Sequence, residues 1–438
     1  MALLTQDQAR DILKKVMSYS KAEECEANLN GSVGGNLRYA RNTVTTSGVQ
    51  NDTTLVVQSS YGKKTGTTTI NEFDDASLEK AVRRSEELAQ LAPENPEYMN
   101  MLEPQTYSTA HAYFESTANL TPEYRAQAAA SSIKPCRAKN LTAAGFLQNS
   151  VSFQAMMNTK GLFAYHPQTD VNFSVTVRSN DGTGSGYVTR DENDVAKLDA
   201  AAASQIALEK AEGSRNPVAI EPGKYTVILE PAASIELLQN MFFSMDARQA
   251  EEGRSFLAKP GGGTKLGEKL VDERITIYSD PTHAEVPAAP WNGDGRPREH
   301  TVWIEKGVVQ NLYYSRYWAH KKGVKAIPFP ANGVMEGGTA TVADMVRDTK
   351  KGILVSRTWY IRMVDPQTLL LTGLTRDGLF YVENGKVKHA IKNFRFNESP
   401  VIMLNNVEAL GKPERINGNL IPPMLIRDFT FTSLSEAV

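Results

Sequence analysis

Thr53–Gln90 reads TTLVVQSSYGKKTGTTTINEFDDASLEKAVRRSEELAQ, and Phe173–Lys210 reads FSVTVRSNDGTGSGYVTRDENDVAKLDAAAASQIALEK. The two stretches align without a gap at a constant offset of 120. Val57 falls on Val177, Ser59 on Ser179, Gly62 on Gly182, Gly66 on Gly186, Asp74 on Asp194, Leu78 on Leu198, Ala81 on Ala201 and Leu88 on Leu208. Each copy predicts an apolar strand, a glycine turn and a returning strand. A helix follows, with Leu78, Ala81, Val82, Ser85 and Leu88 on one face of the first copy. Asp74 and Asp194 stand where a side-chain oxygen would cap free N–H groups at a helix start.

The repeat extends upstream more loosely. Ala9, Ile12, Leu13 and Val16 form an amphipathic face opened by Thr5-x-x-Gln8, a capping-box pattern, and 126–139 is the matching helix. Each runs into a strand, 23–30 and 146–153. Residues 1–215 therefore read as one N-terminal α+β domain built from a duplicated strand-hairpin-helix unit, with a proline-rich crossover around Pro93–Pro122. Composition shifts again at Asn216-Pro217 to Pro222-Gly223. Beyond it, 216–438 reads as a second domain. Tyr225–Leu229 predicts a buried strand, and Pro231 opens a helix with Ile235, Leu238, Gln239, Phe242 and Met245 on one side. From Arg274 on, short strands alternate with glycine turns, among them 308–314, 352–355, 359–363, 379–382 and 391–396. That pattern predicts a mostly antiparallel sheet or barrel-like domain with a helix near its start.

A length of 438 residues leaves room for two or three domains with real cores. A net charge of −2 supplies no field for phosphate backbones, which argues against nucleic acid as a bulk partner. Cys25 and Cys136 are too few for a disulfide framework, the N-terminal residues lack a signal-peptide core, and no window is apolar enough for a membrane span. A cytoplasmic protein is expected.

The local motifs carry little chemistry. Gly261–Gly267 lacks the Lys-Ser/Thr that a phosphate loop needs after its last glycine and reads as a turn. Tyr313, Tyr314, Tyr317 and Trp318 interleave with Arg316, His320, Lys321, Lys322 and Lys325, as in a single-stranded nucleic-acid groove; buried alternation with a solvated lysine rim accounts for them better, a peptide groove being the next reading. The histidines are His111, His166, His283, His300, His320 and His389, with no pair at metal-ligand spacing. A nonstandard metal site from Asp272, Glu273, His283 or Asp294 is the alternative, weighed against the commoner reading of surface carboxylates as solvated groups.

One stretch is over-specified for structure alone. In DPQTLLLTGLTRDGLFYVENGK, Asp365 to Lys386, two apolar strands are hinged on Arg376-Asp377-Gly378, and Asn384-Gly385 is a strong hairpin-turn signal. Thr372-Gly373-Leu374-Thr375-Arg376-Asp377-Gly378 resembles a signature of the TldD/PmbA family, long labelled modulators of DNA gyrase and associated with a zinc-dependent peptidase. Gly293-Asp294-Gly295-Arg296-Pro297 and the strand-helix after Gly223 extend the resemblance over nearly the whole chain. In the family's active member a helix of the C-terminal domain carries His-Glu-x-x-x-His, and a Cys lies further on.

Carried onto this chain, those helix positions are Gln239, Asn240 and Ser244, and no Cys follows Cys136. Gln is a poor zinc donor, and Asn cannot take a proton from bound water. The resemblance therefore implies the PmbA branch, also called TldE: no metal and no catalytic residue in this chain, zinc in a TldD-like partner, and a heterodimer that trims peptides or poorly folded polypeptide. The resemblance leaves a homodimer open as the state without that partner. Thr372, Gly373, Arg376 and Asp377 are its candidate cleft or subunit-contact residues. The alternatives are a stand-alone peptidase with another site and a binding protein acting on DNA gyrase.

Overall fold

The computed structural model describes residues 3–436. The first half contains α1 (Gln6–Tyr19), β1 (Glu24–Ala40), β2 (Thr43–Tyr61), β3 (Lys64–Ile70) and α2 (Asp75–Leu91). After a crossover with the one-turn α3 (Glu115–Ala118) come α4 (Pro122–Ala138), β4 (Leu141–Asn158), β5 (Phe163–Ser179), β6 (Ser185–Glu192) and α5 (Ala200–Gly213). All six strands form one antiparallel sheet in the order β3-β2-β1-β4-β5-β6, so the two copies meet where β1 pairs with β4. The capping box at Thr5 is formed, with Gln8 as its reciprocal partner.

Side-chain alternation gives this sheet two different faces. Leu29, Leu55 and Val57 pack with Leu13, Val16, Leu78 and Val82 of α1 and α2. Leu147, Phe173, Val175 and Val177 pack with Ile133 of α4 and Leu208 of α5. The opposite face carries polar residues such as Gln154, Gln168, Asp170 and Asn172 and points toward the second half of the chain.

The duplication is confirmed, but not at one constant offset. Gly66 pairs with Ser59 in the first copy, whereas Gly186 pairs with Val177 in the second. The helix drifts as well. A Cβ on Gly66 would meet Ser85 O and Ala89 N, and one on Gly186 would meet Ala207 O and Ala211 N, an offset of 122. At that offset the buried faces coincide: Leu78 with Ala200, Ala81 with Ala203, Val82 with Ser204, Ser85 with Ala207, Glu86 with Leu208 and Ala89 with Ala211. Extra loop residues in the second copy are the cause. Asp74 caps α2 as expected, but Asp194 caps only a short 3-10 turn, and Asp199 caps α5.

The second half begins with β7 (Lys224–Leu229), α6 (Pro231–Phe243) and α7 (Ala247–Glu251). Next come β8 (Ile277–Ser279), β9 (Thr301–Glu305), β10 (Val308–Val309), α8 (Arg316–Lys322), β11 (Val334–Met335) and α9 (Val342–Asp348). The chain ends with β12 (Lys351–Asp365), β13 (Leu370–Glu383), β14 (Lys386–Ala390), β15 (Phe394–Glu398), α10 (Pro400–Asn405), β16 (Val407–Leu410), β17 (Glu414–Ile416), β18 (Asn419–Ile421) and β19 (Met424–Leu434). Strands β12, β7, β19, β15 and β13 pair in that order, and β13 returns to β12, closing a five-stranded barrel. Its interior is filled by Val227, Leu229, Ile353, Leu371, Phe394, Phe396 and Phe431, against which α6 packs Leu237, Leu238 and Met241. A second sheet, β10-β9-β8-β11-β18-β17, lies beside it.

Two local expectations change. The run expected as a strand over 308–314 holds only the two-residue β10, although Val309, Leu312 and Tyr314 are buried. The hinge at Arg376-Asp377-Gly378 lies within the single strand β13. Val355 pairs with Leu379 and Arg357 with Arg376, so two steps on β12 answer three on β13. This is a β-bulge, accommodated by Asp377 at φ 57° and Gly378 at φ 116°. The real reversal is Asn384-Gly385, both left-handed, as the dipeptide predicts.

Candidate functional site: the cleft between the halves

The polar face of the N-terminal sheet is held against the second half by a small set of buried charges. Asp191 of β6 is almost fully buried, and its carboxylate accepts from Asn417 N at 2.6 Å, Gly418 N at 2.8 Å and Arg415 Nε at 3.0 Å. The Asn417-Gly418 turn, left-handed at both residues, thus docks on β6. Nearby, Lys210 of α5 pairs with Glu230, the residue before α6, at 2.5 Å.

The third tie is Asp377. Its Oδ1 accepts from Ser185 Oγ of β6 at 2.6 Å and its Oδ2 from Arg357 at 2.9 Å, and the side chain is 1% exposed. The Arg357 guanidinium lies 3.8 Å from the centre of the Tyr187 ring, so both ends of the ion pair reach into the N-terminal sheet.

Beside the Asp191 tie opens a cleft of about 650 Å³. One wall is the sheet face with Gln154, Gln168, Asp170 and Asn193; the other is apolar, with Ala289, Phe329 and Pro330. Arg298 borders it and donates to the carbonyls of Ala289, Trp291 and Phe329; burial pushes its pKa down to about 10. Burial and then the neighbouring Asp191 charge push Asp170 up to about 6, Arg415 partly opposing. Burial also holds His166, set edge-on to Trp291, down at about 4.

The Asp170 shift has a measurable consequence. Its ordinary value is 3.8, so between about pH 4 and 6 the folded protein keeps a proton that the unfolded chain has released. Stability from this group is full below pH 4 and is lost as pH rises through 6. Asp170→Asn is therefore expected to raise the melting temperature at pH 7.5 and to leave it unchanged near pH 3.5, as read by thermal unfolding across that range.

The helix end carrying the candidate zinc positions abuts this cleft. Phe243, 62% exposed, stacks on Phe329 with ring centres 5.2 Å apart, and Tyr313 meets Phe329 edge-on at 5.2 Å. Phe329 lines the cleft itself. Asn240 Nδ2 donates to Glu236 O at 2.8 Å and Ser244 Oγ to Asn240 O at 2.9 Å, bonds within the helix's own turns. Gln239 is half-buried beside them. These side chains do not fit zinc. Among the described residues, no group of three His, Cys, Asp or Glu side chains could hold a metal ion.

The over-specified stretch lies mostly inside the barrel wall. Thr372 Oγ1 donates to Phe396 O at 3.1 Å, and a Cβ on Gly373 would come within 2.6 Å of the Phe396 ring. Arg376 stacks over Trp359 at 4.2 Å, and Arg362 over Tyr360 at 4.4 Å, with the two rings 5.7 Å apart. Tyr360 stands at φ 56° and is 54% exposed. With Met363 and Val364, these rings make an exposed apolar strip flanked by two cations. Gly378 borders a further cleft of about 300 Å³ with Ser185, Ser214 and Asn393.

Sequence reasoning did not find Asp170, Asp191, Arg298 or Arg415. The signal within reach was Arg415-Ile416-Asn417-Gly418, a hairpin turn with a cation beside it. The Gly261–Gly267 run is a tight turn closed by Lys259 N to Gly263 O at 3.0 Å. No helix among the described residues is long and apolar enough to cross a membrane.

Family models match in three segments: PmbA/TldA metallopeptidase domain 1 over residues 25–89, the central domain over 71–215 and the C-terminal domain over 222–433. A metalloprotease of Methanothermobacter thermautotrophicus is 21% identical over 294 residues, 60% of this chain and 61% of that protein. One of Archaeoglobus fulgidus is 28% identical over 109 residues, a quarter of each (25% and 24%). The match thus spans about three-fifths of the first relative's length and less of the second's. The crystal structure of TldE from Thermococcus kodakarensis has the same fold, with a TM-score of 0.87 at 17% identity, covering 97% of this chain and 99% of that one.

Proposed function

The chain belongs to the PmbA/TldD metallopeptidase family, and from that premise we propose that it is the TldE-type subunit of a two-chain zinc peptidase. It builds and presents the peptide cleft, while a TldD-like partner supplies the metal. The observation that carries this reading is the end of α6. The fold keeps the helix against the cleft, but Gln239, Asn240 and Ser244 stand at the resemblance-derived positions, and Asn240 and Ser244 spend their side chains on the helix's own carbonyls. A wall of sheet amides and carboxylates facing an apolar wall suits an extended peptide, whose backbone bonds to one side and whose side chains pack on the other. The strip of Trp359, Tyr360, Met363 and Val364, flanked by Arg362 and Arg376, is the surface we assign to the partner, since exposed apolar patches rimmed by charge mark protein contacts.

Co-expression with the family member of the same cell that carries His-Glu-x-x-x-His is the test. A stable complex with chelator-sensitive cleavage of unfolded peptides, exceeding that of either chain alone, is the expected result. This chain purified alone should hold far less than one zinc ion. No complex and no gain in activity would sink the subunit reading, and stoichiometric zinc in the lone chain would favour an independent peptidase.

A further inference from the structure

In the cleft beside the Asp191 tie, the cationic donors are occupied while two acceptors are not. Arg298 donates to the carbonyls of Ala289, Trp291 and Phe329, and Arg415 to the Asp191 carboxylate and the carbonyl of Glu285. Asp191 in turn accepts from three donors. Asp170 differs. It is half-buried on β5, it lines the cleft, and among the described residues none donates a hydrogen bond to its carboxyl group.

Asn193 gives a second and separate sign. Pairing of β5 with β6 reaches Val171 and Glu192, so one step further Asn193 falls opposite Asp170 on the same face of the sheet. It also lines the cleft and is only 3% exposed. Its Nδ2 donates to Thr169 O at 2.8 Å, and its Oδ1 meets no donor. A buried acceptor without a donor is costly, and so is a buried carboxylate without a counter-charge.

A ligand that answers both groups must donate, which excludes an anion. A neutral hydroxyl or amide would leave the Asp170 charge uncompensated beside Asp191. A metal ion lacks its donor set here, since no group of three His, Cys, Asp or Glu side chains exists among the described residues. An ammonium or guanidinium group fits, because it brings charge and several N–H groups together. The facing wall of Ala289, Phe329 and Pro330 suits the methylene stem of a lysine or arginine, which an α-amino terminus does not have.

We propose that Asp170, with the Asn193 amide oxygen beside it, forms a subsite for a lysine or arginine side chain of the bound polypeptide. The assignment rests on the reading of this cleft as a peptide site and gives that site a preference for basic residues. It also gives a use to a group that costs the fold stability at neutral pH. Burial and the Asp191 charge hold the Asp170 carboxyl up at about 6, and an incoming cation would relieve what the folded chain alone does not.

The test is isothermal titration calorimetry of the full chain, alone and in complex with the TldD-like chain after chelation. The probes are two short peptides, acetylated and amidated at their ends, that differ only in a central lysine or norleucine. At pH 7.5 the lysine peptide should bind about tenfold more tightly. At pH 5, where Asp170 is mostly protonated, the preference should shrink to about twofold. Asp170→Asn should remove it at both pH values in a protein that melts no lower than the parent. The other charged or titratable groups around the cleft are Asp191 on β6, Arg415 on β17, Arg298, and His166 further along β5, and this variant separates Asp170 from all of them. Equal binding of the two peptides by the parent protein overturns the subsite and spares the subunit reading, as does a lysine preference that survives Asp170→Asn. If a free N-terminus, and not the lysine side chain, confers the gain that depends on Asp170, the occupant is an α-ammonium and the side-chain assignment falls. No binding of either peptide, by the lone chain or by the complex, takes the peptide-cleft reading down as well.

Discussion

Replacing Asp377 with alanine is expected to destabilise the protein by about 3–5 kcal/mol, the usual cost of removing one partner from a buried ion pair. The carboxylate accepts from Ser185, on the N-terminal sheet, and from Arg357, which lies over Tyr187 of the same sheet, so its loss strands a guanidinium and a hydroxyl where the halves meet. Alanine also resists the left-handed backbone that Asp377 adopts at φ 57°. Asp377→Asn keeps the shape and one acceptor and should cost less. All four tryptophans, Trp291, Trp303, Trp318 and Trp359, lie in the second half. In the alanine variant, guanidinium unfolding followed by tryptophan fluorescence should separate from unfolding followed by far-ultraviolet circular dichroism. Coincident, unshifted midpoints would show that the tie between the halves lies elsewhere.

Gly66→Ala and Gly186→Ala are expected to be comparably damaging, each costing about 3 kcal/mol or more, at or beyond the upper end of ordinary overpacking. A Cβ on Gly66 would stand 2.2 Å from Ala89 N and 2.3 Å from Ser85 O; on Gly186, 2.1 Å from Ala207 O. The clashing atoms are helix backbone, so a rotamer change cannot relieve them and α2 or α5 must lift off the sheet. Gly48→Ala, with nothing within 4 Å of its Cβ, should fall within about 0.5 kcal/mol of the parent. Thermal unfolding of the three variants gives the comparison. A Gly66→Ala protein as stable as Gly48→Ala would mean that the helix does not sit this close.

Both glycines were visible in the sequence as matched positions of a repeat, yet their reason was not. A glycine near a turn reads as a turn residue, whereas these two are needed because a helix backbone crosses the strand at contact distance. The Asp377-Gly378 pair misled in the same way. Its composition predicted a hinge between two strands, and the ladder instead continues through it as a bulge, because β12 offers a partner on either side of the extra residue.

What the sequence determined by itself is what local chemistry and periodicity carry. The duplication, the alternation that makes one sheet face apolar, the caps at Thr5 and Asp74, the Asn384-Gly385 reversal and the family resemblance all follow from residues close together in the chain. Tertiary structure alone decided which distant residues meet. Asp191 with Arg415, Asp377 with Ser185, and Phe243 with Phe329 are separated by 224, 192 and 86 positions, and no periodicity links them. Closure of the barrel belongs to the same class. A strand's own sequence fixes which way its side chains point, but which neighbour, if any, takes its outer hydrogen bonds depends on how the rest of the chain is routed.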